Sequence, residues 1–192
     1  MIAVLKYNAG NASSVVNAIQ KLGFETTITD DKSVLRKADK VIFPGVGEAN
    51  SAMQYLKEKQ LDVILKQLEQ PVLGICLGMQ LLCQSSEEGN TQGLGIFPTT
   101  VHKFPPLDIV PHIGWNTITD MQSQLFENLD LEVDCYYVHS YYAKICEATI
   151  AITNYLLQFS AALHKNNFYA TQFHPEKSGT KGSLILQNFL NL

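Results

Sequence analysis

Pro71-Val-Leu-Gly-Ile-Cys-Leu-Gly-Met-Gln-Leu-Leu-Cys-Gln84 holds, in order, an apolar run, a cysteine between two glycines and a second apolar run. Val72 to Ile75 has the length and unbroken apolarity of a strand buried on both faces, as in a parallel sheet with helices above and below. The segment after it predicts a helix, so the chain must turn sharply at Cys76. Gly74 and Gly78 flank that turn and complete G-x-C-x-G, the cysteine form of a nucleophile elbow. A cysteine at a helix N-terminus meets partial positive charge and free backbone N–H groups, which stabilise a thiolate. The same pattern also suits a buried structural cysteine, because free Cys is among the most buried residue types. A base and an oxyanion site elsewhere in the chain decide between the two.

Working outward towards the N-terminus, β and α patterns alternate at short spacing. Ile2 to Lys6 is a β-rich run, and Asn8 to Asn11 turns into a helix whose apolar positions Val15, Val16, Ile19 and Leu22 keep a helical period. Gly23 stops that helix. Glu25 to Thr29 and Lys40 to Phe43 read as strands, with Val34 and Leu35 in a short helical link. A helical region follows from Ala49 to Leu68, with a break near Gln60, before the Cys76 strand. This alternation predicts a doubly wound, mainly parallel sheet. In such sheets ligands bind beyond the carboxyl ends of the strands. Pro44-Gly-Val-Gly47 and Cys76 both occupy such ends.

Towards the C-terminus the pattern changes to short strands: Thr99–Phe104, Trp115–Ile118, Cys135–Ala143, Ala148–Asn154, Phe159–His164 and Phe168–Phe173. Lys165-Asn-Asn167 has the composition of a hairpin turn. We expect antiparallel strands here that complete or cover the sheet, closed by a helix over Lys181–Leu190. No internal repeat or linker interrupts the chain, so residues 1–192 are expected to form a single domain.

The net charge of −4 and scattered basic residues give no reason to expect nucleic acid or an anionic membrane as partner. Cysteines 76, 83, 135 and 146 form no C-x-x-C pair and match no zinc spacing, which argues against a metal site and a redox dithiol. The N-terminus begins in a strand-like run without a basic region or cleavage site, and a reducing cytoplasm is the expected location.

The strand ending at Phe173 runs into His174-Pro175-Glu176. If the backbone stays extended, His174 and Glu176 face the same way, and Pro175 should keep the segment from curling into a helix. A histidine with a carboxylate on its own face is a base with its orienter. On its own, such a pair also suits a solvated strand end. Pro44-Gly-Val-Gly47 offers backbone N–H groups with little side-chain bulk, and the elbow adds the N–H of Leu77; two such donors converging on one point form an oxyanion hole. Glycine pairs also occur in loops simply for turning.

G-I-C-L-G-M-Q at 74–80, P-G-V-G at 44–47 and Q-F-H-P-E-K-S at 172–178 resemble the class I (triad) glutamine amidotransferase family. With Y-N-A-G-N at 7–11, P-H-I-G-W-N at 111–116 and Y-V-H-S-Y at 137–141, the set is similar to the branch of glutaminase subunits that serve imidazole glycerol phosphate synthase. The resemblance spans nearly the whole chain. It implies a single-domain α/β, flavodoxin-like fold, with Cys76 as nucleophile, His174 as general base and acid, and Glu176 as orienter. Val46, Gly47 and Leu77 would form the oxyanion hole. Gln80 and Glu88 would hold the polar head of glutamine, and the backbone at Ser140 and Tyr141 its carboxylate. Ser140 stands where Thr is more familiar in that branch.

The resemblance further implies hydrolysis of glutamine to glutamate and ammonia without metal or organic cofactor. The ammonia would go to a (β/α)8-barrel cyclase subunit, in a heterodimer that makes imidazole glycerol phosphate and AICAR in histidine biosynthesis. Asn11, His112, Trp115 and Asn116 would lie at that interface, the plainer alternative being that Trp115 fills the core. Two other functions fit the same motifs: a glutaminase feeding a different synthase, and a non-catalytic regulatory subunit of the same fold.

Overall fold

The computed structural model of the chain describes residues 1–8 and 10–192; Ala9, inside the expected Asn8–Asn11 turn, lies outside them. The first half alternates as expected: β1 (Ile2–Leu5), α1 (Ala12–Lys21), β2 (Thr26–Thr29), α2 (Lys32–Lys37), β3 (Lys40–Phe43), α3 (Ala49–Glu58), α4 (Leu61–Lys66), β4 (Val72–Ile75) and α5 (Leu77–Leu82). Local chemistry sets the ends. Gly23 follows α1 with a φ of +88°, which a glycine adopts without strain. The Asp31 carboxylate accepts from the N–H groups of Ser33 and Val34 to start α2, and Glu48 does the same for α3 through Asn50 and Ser51. Gln60, in the left-handed region, breaks α3 from α4.

The second half contributes β5 (Cys83–Ser86), β6 (Thr91–Gln92), β7 (Phe97–Lys103), β8 (His112–Ile118), β9 (Val133–His139), β10 (Tyr141–Ala143), β11 (Thr149–Tyr155), β12 (Leu157–Lys165), β13 (Phe168–Thr171) and α6 (Gly179–Asn191). The central sheet runs β11-β12-β13-β4-β3-β1-β2. Its β2-β1-β3-β4 order is that of a flavodoxin-like sheet, with β13 in the fifth place. Strands β1 to β4 and β13 pair in parallel, and β12 and β11 extend the edge antiparallel. A four-stranded sheet, β10-β7-β5-β6, and a β8–β9 ribbon cover one end.

Alternation along β1 shows why the sheet needs two helical layers. Ala3 and Leu5 point into a core with Leu35, Leu56, Leu61 and Leu77, from α2 to α5. Ile2 and Val4 point into the opposite core with Val15, Ile19, Ile185 and Phe189, from α1 and α6. A strand buried on both sides must be apolar at every position, which is the pattern at Val72–Ile75. Among the described residues no helix is long and apolar enough to cross a membrane.

Four expectations need correction. Strand β13 pairs antiparallel with β12, as expected, but on its other side it is parallel to β4, because the chain returns to the sheet beside the elbow strand. The helix after the elbow stops at Leu82, and Cys83 is already extended, starting the unforeseen strand β5. The Cys135–Ala143 run is two strands broken at Ser140, with β9 pairing β8 and β10 pairing β7. Pro175 does not keep its segment extended: Pro175–Lys177 forms a 3-10 turn with proline at its first position, where a missing N–H costs nothing.

The elbow glycines are there for close packing. A Cβ on Gly78 would sit 1.9 Å from the Phe43 carbonyl oxygen, and one on Gly74 would sit 2.7 Å from a methyl of Leu82 and 3.0 Å from the backbone of Gly78. Gly78→Ala therefore pushes α5 off β3. It should lower stability by about 1–3 kcal/mol and reduce activity, as read by a urea melt and a glutaminase assay on the same sample.

Candidate active site

Cys76 sits where β4 ends and α5 begins, with φ 52° and ψ −105°, a conformation costly for any residue with a side chain. The turn is held because the Cys76 N–H donates to the Thr171 carbonyl at 2.7 Å, an extension of the β4–β13 ladder. The cysteine faces a cavity of about 280 Å³ lined also by Val46, Gly47, Leu77, Gln80, Glu88, Pro111, Val138, His139, Ser140 and Tyr141. Of the four cysteines, it alone lines this cavity.

His174 follows β13 on the neighbouring strand end. Its backbone is tied to β9: the His174 N–H donates to the Tyr136 carbonyl, and Ser178 Oγ donates to the His174 carbonyl while accepting from the Tyr136 N–H. Nδ1 lies 2.8 Å from Glu176 Oε1, and neither side chain is exposed to solvent. Asn11 Nδ2 donates to the same carboxylate oxygen at 2.5 Å. Burial alone would push the imidazole pKa down, but the Cys76 sulfur and the Glu176 carboxylate outweigh it and raise the value to about 10. Nε2, the nitrogen left for chemistry, is buried and has no hydrogen bond of ordinary geometry among the described residues, even though the sulfur is near enough to influence its charge.

The loop expected to supply oxyanion donors is tightly held. The Leu77 N–H donates to the Gly45 carbonyl at 3.3 Å, so it is occupied in this conformation. The Val46 carbonyl accepts from the Gly10 N–H at 3.1 Å, and Tyr7 Oη donates to the Pro44 carbonyl at 2.5 Å. Gly47 has a φ of +141°. Among the residues expected to meet substrate, Gln80 is buried and its Nε2 donates to the Tyr141 carbonyl at 3.1 Å and Gln172 Oε1 at 3.0 Å, which leaves its oxygen as the only polar atom for a ligand. Glu88 Oε2 accepts from the Ala49 N–H, and partial burial raises its carboxyl pKa. Ser140 and Tyr141 line the same cavity.

Of the four residues expected at an interface, His112 is buried, Asn11 and Asn116 are half-buried and Trp115 is exposed. His112 is only 3% exposed, stacked on Tyr155 at 3.9 Å between ring centroids, with Nδ1 3.0 Å from His139 Nε2. Asn116 Nδ2 bonds the Asn154 carbonyl and His112 Nε2. Asn11 Nδ2 donates to the Glu176 carboxylate. Trp115 does not fill the core: it is 58% exposed, and Ile113, two positions away on the same face of β8, is 60% exposed. Residues that the sequence left without a role, Tyr7 and Gln172, hydrogen-bond to the Pro44 carbonyl of the Pro44–Gly47 loop and to the Cys76 sulfur. Their only signal was membership of the Y-N-A-G-N and Q-F-H-P-E-K-S motifs.

The chain is similar to proteins whose names match this geometry. It is 58% identical over 194 residues to "Imidazole glycerol phosphate synthase subunit HisH" of Bacteroides fragilis (strain YCH46), covering 100% of this chain and 99% of that protein. It is 44% identical over 191 residues to the HisH protein of Haemophilus influenzae (strain ATCC 51907), covering 98% and 96%. The fold matches that of PurLQS from Thermotoga maritima with a TM-score of 0.74 at 16% identity, over 99% of this chain and 97% of that one. The model of the family described as glutamine amidotransferase class-I matches residues 3–192, and the chain belongs to that family.

Proposed function

We propose that this chain hydrolyses the side-chain amide of glutamine as the glutaminase subunit of an imidazole glycerol phosphate synthase, passing ammonia to a cyclase partner. The observation that carries this reading is the end-to-end 58% identity to a HisH protein, in a chain whose Cys76 and His174–Glu176 pair meet at adjacent strand ends.

In this mechanism the Cys76 thiol gives its proton to His174 Nε2 and the sulfur attacks the amide carbon. The carbonyl oxygen becomes an oxyanion, the C–N bond breaks, and His174 hands its proton to the departing ammonia. Nε2 then takes a proton from water, which attacks the thioester and releases glutamate. Glu176 balances the imidazolium that forms twice. The oxyanion donors are Leu77 N–H with the Val46–Gly47 backbone. Rotating the Gly45–Val46 peptide removes the carbonyl that now accepts from Leu77 and turns the Val46 N–H towards the same point. That rotation is a gate beside glycine, where it meets little steric resistance. The substrate ammonium meets Gln80 Oε1 and Glu88, and its carboxylate the backbone at Ser140 and Tyr141.

Ammonia escaping to solvent is protonated and lost, so a glutaminase of this kind works against a partner. Ile113 and Trp115 are the apolar face offered to it, and the partner implied by the resemblance is a (β/α)8 barrel. Four unpaired cysteines suit a cytoplasmic location. The test is to add the cyclase subunit and its nucleotide ligand to this chain. Glutamine turnover should rise by roughly tenfold or more, and Trp115→Ala should weaken association while leaving the melting temperature of the isolated chain nearly unchanged. Equal turnover with and without partner would make this a free-standing hydrolase.

A further inference from the structure

One buried side chain touches the nucleophile and has no part in the triad, the oxyanion loop or the substrate wall. Gln172 is fully buried, and its Nε2 lies 3.6 Å from Cys76 Sγ. The strand register puts it there: Thr171 pairs with Ile75, so the next residue of each strand emerges at the same edge of the sheet.

The orientation of its amide follows from what surrounds it. The Tyr141 carbonyl can only accept, and it already accepts from His139 Nδ1 at 2.7 Å. The Gln80 amide end that lies 3.1 Å from this carbonyl must therefore be the nitrogen. That same nitrogen lies 3.0 Å from the Gln172 amide, whose near atom must then be the oxygen. The atom of Gln172 that faces the sulfur is thus the N–H donor. Flipping either amide would bring two donors or two acceptors together in a buried place.

Besides His174, the sulfur has two polar neighbours that favour opposite protonation states. Its S–H can donate to the Val138 carbonyl at 3.9 Å, a bond that exists only in the thiol. The Gln172 N–H can only donate to the sulfur, and that bond strengthens when the sulfur becomes an anion. We propose that Gln172 is a further catalytic residue, which holds the Cys76 sulfur by its amide N–H and favours the thiolate that attacks the substrate. Gln80 and the Tyr141 carbonyl act behind it as positioning groups. When the thiol proton moves to His174 Nε2, the bond to Val138 is lost and the bond from Gln172 takes its place, with no rearrangement of the buried amides. This role rests on Cys76 being the glutaminase nucleophile.

The test uses the full chain, alkylated with iodoacetamide at neutral pH and followed at each cysteine by mass spectrometry, beside glutamine kinetics in the presence of the cyclase. Gln172→Met removes the donor at similar size. It should slow Cys76 alkylation by about 10–100-fold and lower kcat by a similar factor, the effect of losing one hydrogen bond to a charged group, with KM nearly unchanged. Gln172→Glu keeps an acceptor for Gln80 but puts a carboxyl oxygen against the sulfur, and should slow both further. Cys83 and Cys135, buried in the folded chain, report on integrity: if they label in the Met variant it has unfolded, and the Glu variant decides. Alkylation and kcat within twofold of the parent in the folded variants would overturn the proposal. Alkylation needs no substrate, so a parent chain that fails to hydrolyse glutamine while the alkylation order holds would sink the glutaminase reading and leave Gln172 as the sulfur's donor.

Discussion

Cys76→Ala should reduce glutamine hydrolysis by about 10⁶-fold, as loss of the nucleophile does in triad hydrolases, while the melting temperature moves by only a few degrees. No other sulfur can substitute. Cys83 lies in the core with its thiol pKa pushed up by burial, and Cys135 is pushed up to about 12 by the same cause. Cys146 is partly exposed but does not line the cavity. The fold tolerates the change because the Cys76 side chain makes only long, weak hydrogen bonds, while the backbone bond to Thr171 that sets the turn is unaffected. Alanine must still adopt the strained φ of 52°, as cysteine does, so strain is not added. The measurement is glutamate release by the complex, with an electrophilic glutamine analogue as second probe, which should label the parent at Cys76 alone. Activity surviving in Cys76→Ala, with label at Cys83, Cys135 or Cys146, would remove Cys76 from the mechanism.

The elbow was legible in the sequence because three independent constraints fall on one stretch. A strand between two helical layers must be apolar at each position, a helix passing within van der Waals contact of β3 must present glycine, and the residue between them must turn. Val72–Ile75, Gly78 and Cys76 meet those needs within seven residues. Strands β5 and β6 were not legible, since Cys83–Ser86 and Thr91–Gln92 are short and polar and are held by pairing with β7 and each other, information that is not local. The His174–Glu176 contact was legible for an incomplete reason. An extended segment and a 3-10 turn begun by proline both bring the two side chains together, and the structure uses the second.

The P-H-I-G-W-N motif brings residues of different environments together on one strand. A motif groups residues by sequence neighbourhood, yet in the β8 ribbon alternate residues face opposite ways. His112 and Trp115 therefore have opposite environments within one six-residue motif. In β8 the usual arrangement is inverted at these positions, with histidine inside and isoleucine and tryptophan outside. That inversion leaves two large apolar side chains, Ile113 and Trp115, exposed on one face of the ribbon. Asn11 is hidden from sequence reasoning for another reason: its partner Glu176 is 165 residues away along the chain.

That contact decides what Glu176→Gln should do. In serine triads, replacing the third carboxylate by its amide costs about 10⁴ because the histidine is left in the wrong tautomer. Here two donors, His174 Nδ1–H and Asn11 Nδ2–H, converge on the single oxygen Oε1, while Oε2 is buried without a partner among the described residues. A glutamine at 176 would be forced to put its oxygen at the Oε1 position and its nitrogen in the place of Oε2, so His174 keeps its proton on Nδ1 and leaves Nε2 free. What is lost is the negative charge that, with the Cys76 sulfur, lifts the imidazole pKa to about 10 against the effect of burial. Proton transfer from Cys76 then creates a buried imidazolium with no counter-ion on its far side. Turnover should fall by about 10²–10³-fold, less than in the serine case because the tautomer survives, with KM for glutamine little changed because Glu176 lies behind His174 and does not line the cavity. Adding Asn11→Ala to Glu176→Gln should deepen the loss, since the amide would then be free to turn its nitrogen to the imidazole. An unchanged kcat in Glu176→Gln, measured in the cyclase complex, would mean that another group carries the imidazolium charge.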